Sequence, residues 1–289
     1  MRLAAFTVYV LAAAATHAAG AQQPPGADAR ISSEQLATLP QTPGAKGDQQ
    51  RHYFFAAAGA EMPYRLYVPQ SYDPARQTPL VVALHGYGGD QNYFFAALPT
   101  LPELLDQHGF IFVAPMGYSK GGWYGAPLDI PGNRPRNSGQ AIPPVTQTPE
   151  EMRHERALSE ADVMNVLEIV SREYSVDPDR VYLVGHSMGG RGTYVLGQKY
   201  AERWAAIAPM SGTLADATYS LDRLTNVAVM LSAGSTETAT VAAAQAQIEE
   251  MNKMGIVTGL WIEPNGTHGS MIAPTLPKVL DFFADKVRR

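Results

Sequence analysis

From about residue 50 onward, continuous apolar runs alternate with segments whose apolar positions recur at helical spacing. "PLVVALHG" (79–86) and "FIFVAP" (110–115) are apolar at every step, the pattern of strands buried on both faces of a sheet. "RVYLVG" (180–185), "AAIAP" (205–209), "NVAVML" (226–231) and "GLWIE" (259–263) are predicted as further strands. "HYFFAAA" (52–58) and "PYRLYVP" (63–69) read as two strands joined by a turn at "GAEM". "SEADVMNVLEIVSREY" (159–174) puts Val163, Val166, Leu167 and Val170 on one helical face and opens with Ser159 and Asp162 in a capping pattern. An alanine-rich helix over 240–254 and a closing helix over 275–287 complete the alternation. Strands and helices in this order predict an α/β protein with a mostly parallel central sheet flanked by helices, without an internal repeat or a clear second domain.

The ends of the chain break the pattern. Arg2 precedes the apolar stretch "LAAFTVYVLAAAA", and "AGA" at 19–21 places small residues at both recognition positions of a cleavage site. Residues 1–21 therefore read as a signal peptide, and the chain is expected to be secreted or periplasmic, beginning at Gln22. Residues 22–48 are rich in Pro, Gly, Ala and Gln and short of large apolar groups, so they are expected to form a flexible leader with one helical turn near 33–39. Residues 49–289 remain as the folded unit. No later stretch is apolar and long enough to span a bilayer, so no stable membrane insertion is expected once the signal is removed.

Composition narrows the chemistry. With 289 residues, 45% of them hydrophobic and 17% charged, the chain can bury a large core. Removing residues 1–21 takes one arginine and no acid, moving the net charge from −5 to −6. Basic residues are scattered rather than clustered with aromatics, which argues against a nucleic-acid partner. The absence of cysteine excludes disulfides, thiol catalysis and thiolate metal sites. "RHERALSE" lacks a second histidine at helical spacing, so neither a metal nor a cofactor is expected.

Ser187 stands in "VGHSMGG", directly after the strand "RVYLV" and before a helical pattern beginning near Tyr194. Strand, sharp turn and helix around G-x-S-x-G form the context in which a serine is held up as a nucleophile, with glycines leaving room for a strained backbone. Nucleotide loops do not fit: Gly190 is followed by Arg191 and Gly192 rather than Lys-Ser/Thr, and position 195 is Val. A serine nucleophile needs a base, an orienting acid and an oxyanion hole. In the chain order serine, acid, histidine, the one histidine after Ser187 is His268, in "EPNGTHGS". His17 lies within the signal, and His52, His108 and His154 have no supporting context. The backbone N–H of Met188 and that of Tyr87, in the Gly-rich "LHGYGGDQ" after "PLVVA", are the candidate oxyanion donors.

"PLVVALHGYGG", the segment 159–190 and "NGTHG" together resemble the exported bacterial esterases of the α/β-hydrolase superfamily related to feruloyl esterases and polyhydroxybutyrate depolymerases, a group also called prolyl-oligopeptidase-like. The resemblance spans about residues 50–287. It implies the α/β-hydrolase fold with no large separate cap domain, Ser187 as nucleophile, His268 as base and Tyr87 with Met188 as oxyanion donors. One departure concerns the acid: such proteins carry "HGxxD" after the strand that "NVAVML" occupies, and here the stretch reads "SAGSTET". Glu237 aligns with the aspartate, and Thr236 does so if the register slips by one. Of the acids between Ser187 and His268, Glu202 follows the elbow helix, Glu249 and Glu250 sit inside a helix and Glu263 is too close in sequence, which leaves Asp216, Asp222 and Glu237. Glu237, in a short polar loop past the next strand, is the expected acid, with Asp216 its competitor.

Residues 116–157 form a long connection expected to wall or partly cover the site. Trp123, Tyr124 and His186 are candidate substrate contacts, and Tyr93 or Phe94 could pack against an acyl or aromatic group. The function expected is a serine carboxylic-ester hydrolase acting through an acyl-enzyme on a small-molecule or polymer-linked ester. Two alternatives remain at this stage: a small exported peptidase, and a non-catalytic hydrolase fold used for binding.

Overall fold

The computed structural model describes residues 29–38, 44–127, 147–212 and 220–288. The expected signal peptide, parts of the expected leader, residues 128–146 of the long connection and Asp216 lie outside the described residues. The elements are α1 (Ser33–Thr38), β1 (Gly47–Phe55), β2 (Ala60–Val68), β3 (Thr78–Leu84), α2 (Tyr93–Ala97), α3 (Leu101–His108), β4 (Ile111–Pro115), α4 (Pro149–Glu173), β5 (Val176–His186), α5 (Met188–Lys199), β6 (Ala206–Met210), β7 (Ala228–Gly234), α6 (Thr238–Lys253), β8 (Thr258–Glu263) and α7 (Ile272–Phe283). Among the described residues no helix is long and apolar enough to cross a membrane.

The eight strands form one sheet in the order β1-β2-β4-β3-β5-β6-β7-β8. Strand β2 runs antiparallel to both neighbours, and every pairing from β4 to β8 is parallel. Alternate residues of the central strands feed opposite cores. Leu80, Val82, Leu183, Ile207 and Val229 pack with α4 and α5 on one face, and Val81, Phe112, Tyr182, Val184 and Ala208 pack with α3 and α7 on the other. After β3 the chain moves to one side for β4 and then returns across β3 to lay down β5 on the other. The carboxyl ends of β3 and β5 therefore lie side by side where the winding reverses, the crevice in which open α/β sheets hold ligands.

Helix α4 differs from its expected extent. It starts ten residues before Ser159, at Pro149, because Thr148 and Glu151 form a reciprocal capping box: Glu151 N–H donates to Thr148 Oγ1 at 3.2 Å and Thr148 N–H to Glu151 Oε2 at 2.6 Å. Ser159 and Asp162, read from the sequence as a cap, are instead fully buried within the helix. They hold the connection that follows β4. Ser159 Oγ accepts from Tyr124 N–H at 3.0 Å, and Asp162 accepts from Tyr118 N–H at 3.0 Å and from Tyr53 Oη–H at 2.7 Å. Tyr118, Trp123 and Tyr124 all have positive φ, a conformation that costs side-chain-bearing residues of order 1 kcal/mol each, so these bonds offset strain in the loop. Residues 29–38, expected within the flexible leader, also meet α4, through Ile31 N–H donating to Asn165 Oδ1 at 2.8 Å.

Burial pushes the Asp162 carboxyl up to about 6, against the opposing bonds from Tyr53 and from the backbone of Tyr118 and Gly117. The folded protein thus keeps a proton that the unfolded chain, titrating at 3.8, has already lost. The stabilising contribution is complete below the unfolded value and disappears as pH rises through the folded one. Relative to Asp162→Asn, the native chain should lose on the order of 2 kcal/mol of stability between pH 4 and pH 7, measured by urea unfolding at both values. Parallel pH dependence in the two proteins would show that Asp162 carries no such linkage.

Candidate active site

Ser187 occupies the single residue between β5 and α5, with φ 57 and ψ −112. This backbone is strained for any residue with a Cβ, and the surroundings over-determine it. Ser187 N–H donates to Met210 O at 2.9 Å, and Arg191 N–H donates to Ser187 O at 3.0 Å. The glycine two residues on is sterically obligatory, since a Cβ on Gly189 would collide with the carbonyl oxygens of Leu84 and His85. The helix consequently begins at Met188, six residues earlier than its apolar face suggests, and its first N–H groups have no partner inside the helix. The Gly-rich loop after β3 is pinned beside it. The two ring nitrogens of buried His85 lie 2.8 and 2.7 Å from the carbonyl oxygens of Gly86 and Met116, so either neutral tautomer donates one bond into this corner.

His268 is half-exposed on the loop between β8 and α7, and its Nε2 lies 2.8 Å from Ser187 Oγ. On the other side of the ring, Nδ1 lies 2.6 Å from Glu237 Oε1. With Nδ1–H donating to the carboxylate, Nε2 is free to accept from the serine hydroxyl. Glu237 is the N-cap of α6, at the end of the loop that follows β7. Its second oxygen accepts from Ser211 Oγ–H at 2.6 Å and from Gly234 N–H at 3.0 Å. Burial raises the Glu237 carboxyl, but the bonds from His268, Ser211 and Gly234 outweigh it and leave the group below the usual glutamate range. The acid loop and the histidine loop are tied together: Gly266 O accepts from Thr236 N–H at 3.1 Å and from Thr236 Oγ1–H at 2.8 Å.

The expected substrate contacts divide. Trp123 is partly buried, and its ring lies 6.4 Å from that of Tyr87, the expected oxyanion donor, which is 60% exposed, so the two rings form one aromatic surface. Tyr124 and His186 do not belong to that surface, which corrects both expectations. Tyr124 is completely buried, with its hydroxyl donating to His85 O at 3.1 Å. His186 is 2% exposed and both its ring nitrogens are engaged by protein. Phe94 lies in the core, and Tyr93 turns its hydroxyl toward His186. Sequence reasoning missed Ser211. Its only signal was a small hydroxylic residue one step past β6, next to the strand whose loop carries Glu237.

A parallel sheet with an antiparallel edge, helices on both faces and a strained serine between β5 and α5 define an α/β-hydrolase, and solved structures of that fold superpose on the chain. An S-formylglutathione hydrolase from Agrobacterium tumefaciens matches with a TM-score of 0.61, at 15% identity over 86% of this chain and 99% of its own. The Esterase family model matches residues 56–284, and the chain belongs to that family. Among curated proteins it is similar to a bifunctional acetylxylan esterase/xylanase of Neocallimastix patriciarum, 31% identical over 53% of this chain and 18% of the relative. It is also similar to feruloyl esterase B of Neurospora crassa, 27% identical over 50% of this chain and 42% of the relative. The chain thus spans less than half the length of these two relatives.

Proposed function

We propose that this protein is an exported serine carboxylic-ester hydrolase working without a cofactor. The observation that supports the reading is the unbroken series of contacts from Ser187 Oγ through His268 to Glu237, at 2.8 and 2.6 Å. In this reading Ser187 Oγ attacks the ester carbonyl while its proton passes to His268 Nε2. The N–H groups of Met188 and Tyr87 stabilise the tetrahedral oxyanion. Its collapse forms the acyl-enzyme and expels the alkoxide, which takes the proton from His268 and leaves as the alcohol. Water, deprotonated by the same histidine, then attacks the acyl carbon and frees the acid and Ser187. Glu237, held below its usual range, remains anionic throughout and stabilises the imidazolium.

The names of the relatives point to acetyl esters of xylan or to feruloyl esters, and the Tyr87–Trp123 pair suits a planar acyl group or a sugar ring. Export with cleavage after Ala21, and a single catalytic unit over 49–289, belong to the same proposal. The test is a panel of p-nitrophenyl esters of increasing acyl length with methyl ferulate, acetylated xylan and a peptide amide, using exported protein whose N-terminus is read by mass spectrometry. Ester hydrolysis unaffected by chelators, an N-terminus at Gln22 and no amide cleavage are expected. Faster amide cleavage would replace the esterase with a peptidase, and a folded protein inactive on every ester would favour a binding role.

A further inference from the structure

His268 must hold its Nε2 to within a few tenths of an ångström of its place 2.8 Å from Ser187 Oγ, yet it sits on a loop with 53% of its side chain exposed, so packing alone does not restrain it. The imidazole is fixed by Glu237, and the main chain is fixed by His186. The carbonyl oxygen of His268 lies 2.6 Å from His186 Nε2. A carbonyl can only accept, so Nε2 must carry the hydrogen, and in the neutral ring Nδ1 is then an acceptor. The group facing Nδ1 is the Tyr93 hydroxyl, 2.7 Å away and able to donate. Both ends of the ring therefore require the same tautomer.

Burial, with the adjacent His268 adding to it, lowers His186 to about 4 against the opposing influence of its bond to the His268 carbonyl and of Glu237, so the ring is neutral at pH 7. That neutrality matters at this spot, because the rings of His186 and His268 are only 4.7 Å apart. A cation at His186 would oppose the imidazolium that His268 becomes during turnover. The fold protects the arrangement on the β3 side too: a Cβ at Gly86 would lie 2.9 Å from Tyr93 Oη and 3.4 Å from His186 Nδ1.

We infer that Tyr93 and His186 form a positioning relay, in which the tyrosine hydroxyl selects the Nε2–H tautomer of His186 and that N–H clamps the backbone of His268 in reach of Ser187. The relay rests on the esterase reading above. His186 is buried and both its ring nitrogens face protein groups, so it acts through His268. Asparagine at 186 can still meet Tyr93 but cannot reach the His268 carbonyl, whereas glutamine can place an amide N–H near the position of Nε2.

The experiment compares the native chain with His186→Asn, His186→Gln and Tyr93→Phe. Its readouts are p-nitrophenyl acetate kinetics, the rate of fluorophosphonate labelling at Ser187 and the tautomer of His186 from nitrogen-15 NMR. His186→Asn is expected to lower kcat and the labelling rate about 10- to 100-fold with KM within about twofold, and His186→Gln to recover most of that loss. Tyr93→Phe should fall between them, and the native spectrum should show a neutral His186 protonated at Nε2 between pH 5 and pH 8. A folded His186→Asn with native kcat, or an Nδ1–H tautomer in the native protein, overturns the relay. Should His186→Asn fail to fold, the tautomer and Tyr93→Phe decide, with native kinetics in the latter counting against it. A native chain that does not label at Ser187 counts instead against the esterase reading.

Discussion

Replacing Ser187 by alanine is expected to lower kcat for short p-nitrophenyl esters by about 10⁴- to 10⁶-fold and to abolish fluorophosphonate labelling, while unfolding remains cooperative. The serine is the one group in the site that forms and breaks covalent bonds in the proposed reaction, so no neighbour can substitute for its oxygen. Residual turnover above background would come from whatever the oxyanion donors and binding alone contribute. The substitution also leaves the elbow intact, since the backbone at 187 is held by Met210 O and by Arg191 N–H rather than by the hydroxyl. A gain in thermal stability of up to about 1 kcal/mol would be consistent with the usual exchange of stability for function at such sites. The measurement pairs kcat with active-site titration. An alanine variant that keeps native turnover places the nucleophile elsewhere and removes the foundation of the proposed mechanism.

Changing Glu237 to glutamine should lower kcat by about 10²- to 10⁴-fold with KM little altered. The amide preserves size, but it carries no charge to stabilise imidazolium, and its NH₂ can meet His268 Nδ1 only if that nitrogen becomes an acceptor. The hydrogen then moves to Nε2, where it opposes the serine hydroxyl instead of accepting from it. The second oxygen complicates the swap usefully: it receives Ser211 Oγ–H and Gly234 N–H, both donors. The amide will orient its oxygen toward those two and its NH₂ toward the histidine, which enforces the wrong tautomer. Asp216→Asn, altering the competitor from the sequence reading, should keep native activity. Near-native turnover in Glu237→Gln together with loss in Asp216→Asn would move the acid to the loop after β6.

Much of this protein is legible without coordinates because its signals are local. Apolar runs at "PLVVALHG" and "RVYLVG" declare strands buried on both faces, since only a strand covered by helices on both sides tolerates no polar position. The glycines around Ser187 declare a turn in which a Cβ has no room, and that is a property of a few consecutive residues. Helix starts were less legible. Periodicity begins where a helix first meets the core, but α4 starts ten residues earlier, where Thr148 and Glu151 satisfy its free N–H groups.

What the sequence determined by itself, then, was the alternation of strands and helices, the elbow at Ser187 and the single histidine that follows it along the chain. Which side chains meet was decided only by the tertiary structure. Tyr124 and His186 have the composition of a binding surface, yet both are buried, Tyr124 against Ser159 of α4 and Gly192 of α5, and His186 at the end of β5 between Tyr93 and the His268 carbonyl. Ser159 and Asp162 carry a capping pattern but serve as acceptors for a strained loop from another part of the chain. Ser211 reaches Glu237 only because β6 and β7 are neighbours in the sheet, 26 residues apart in sequence at that contact. The physical reason is range: backbone sterics and burial period act over a few residues and are written in consecutive letters, whereas a hydrogen bond between loops depends on the sheet order that brings their strands together.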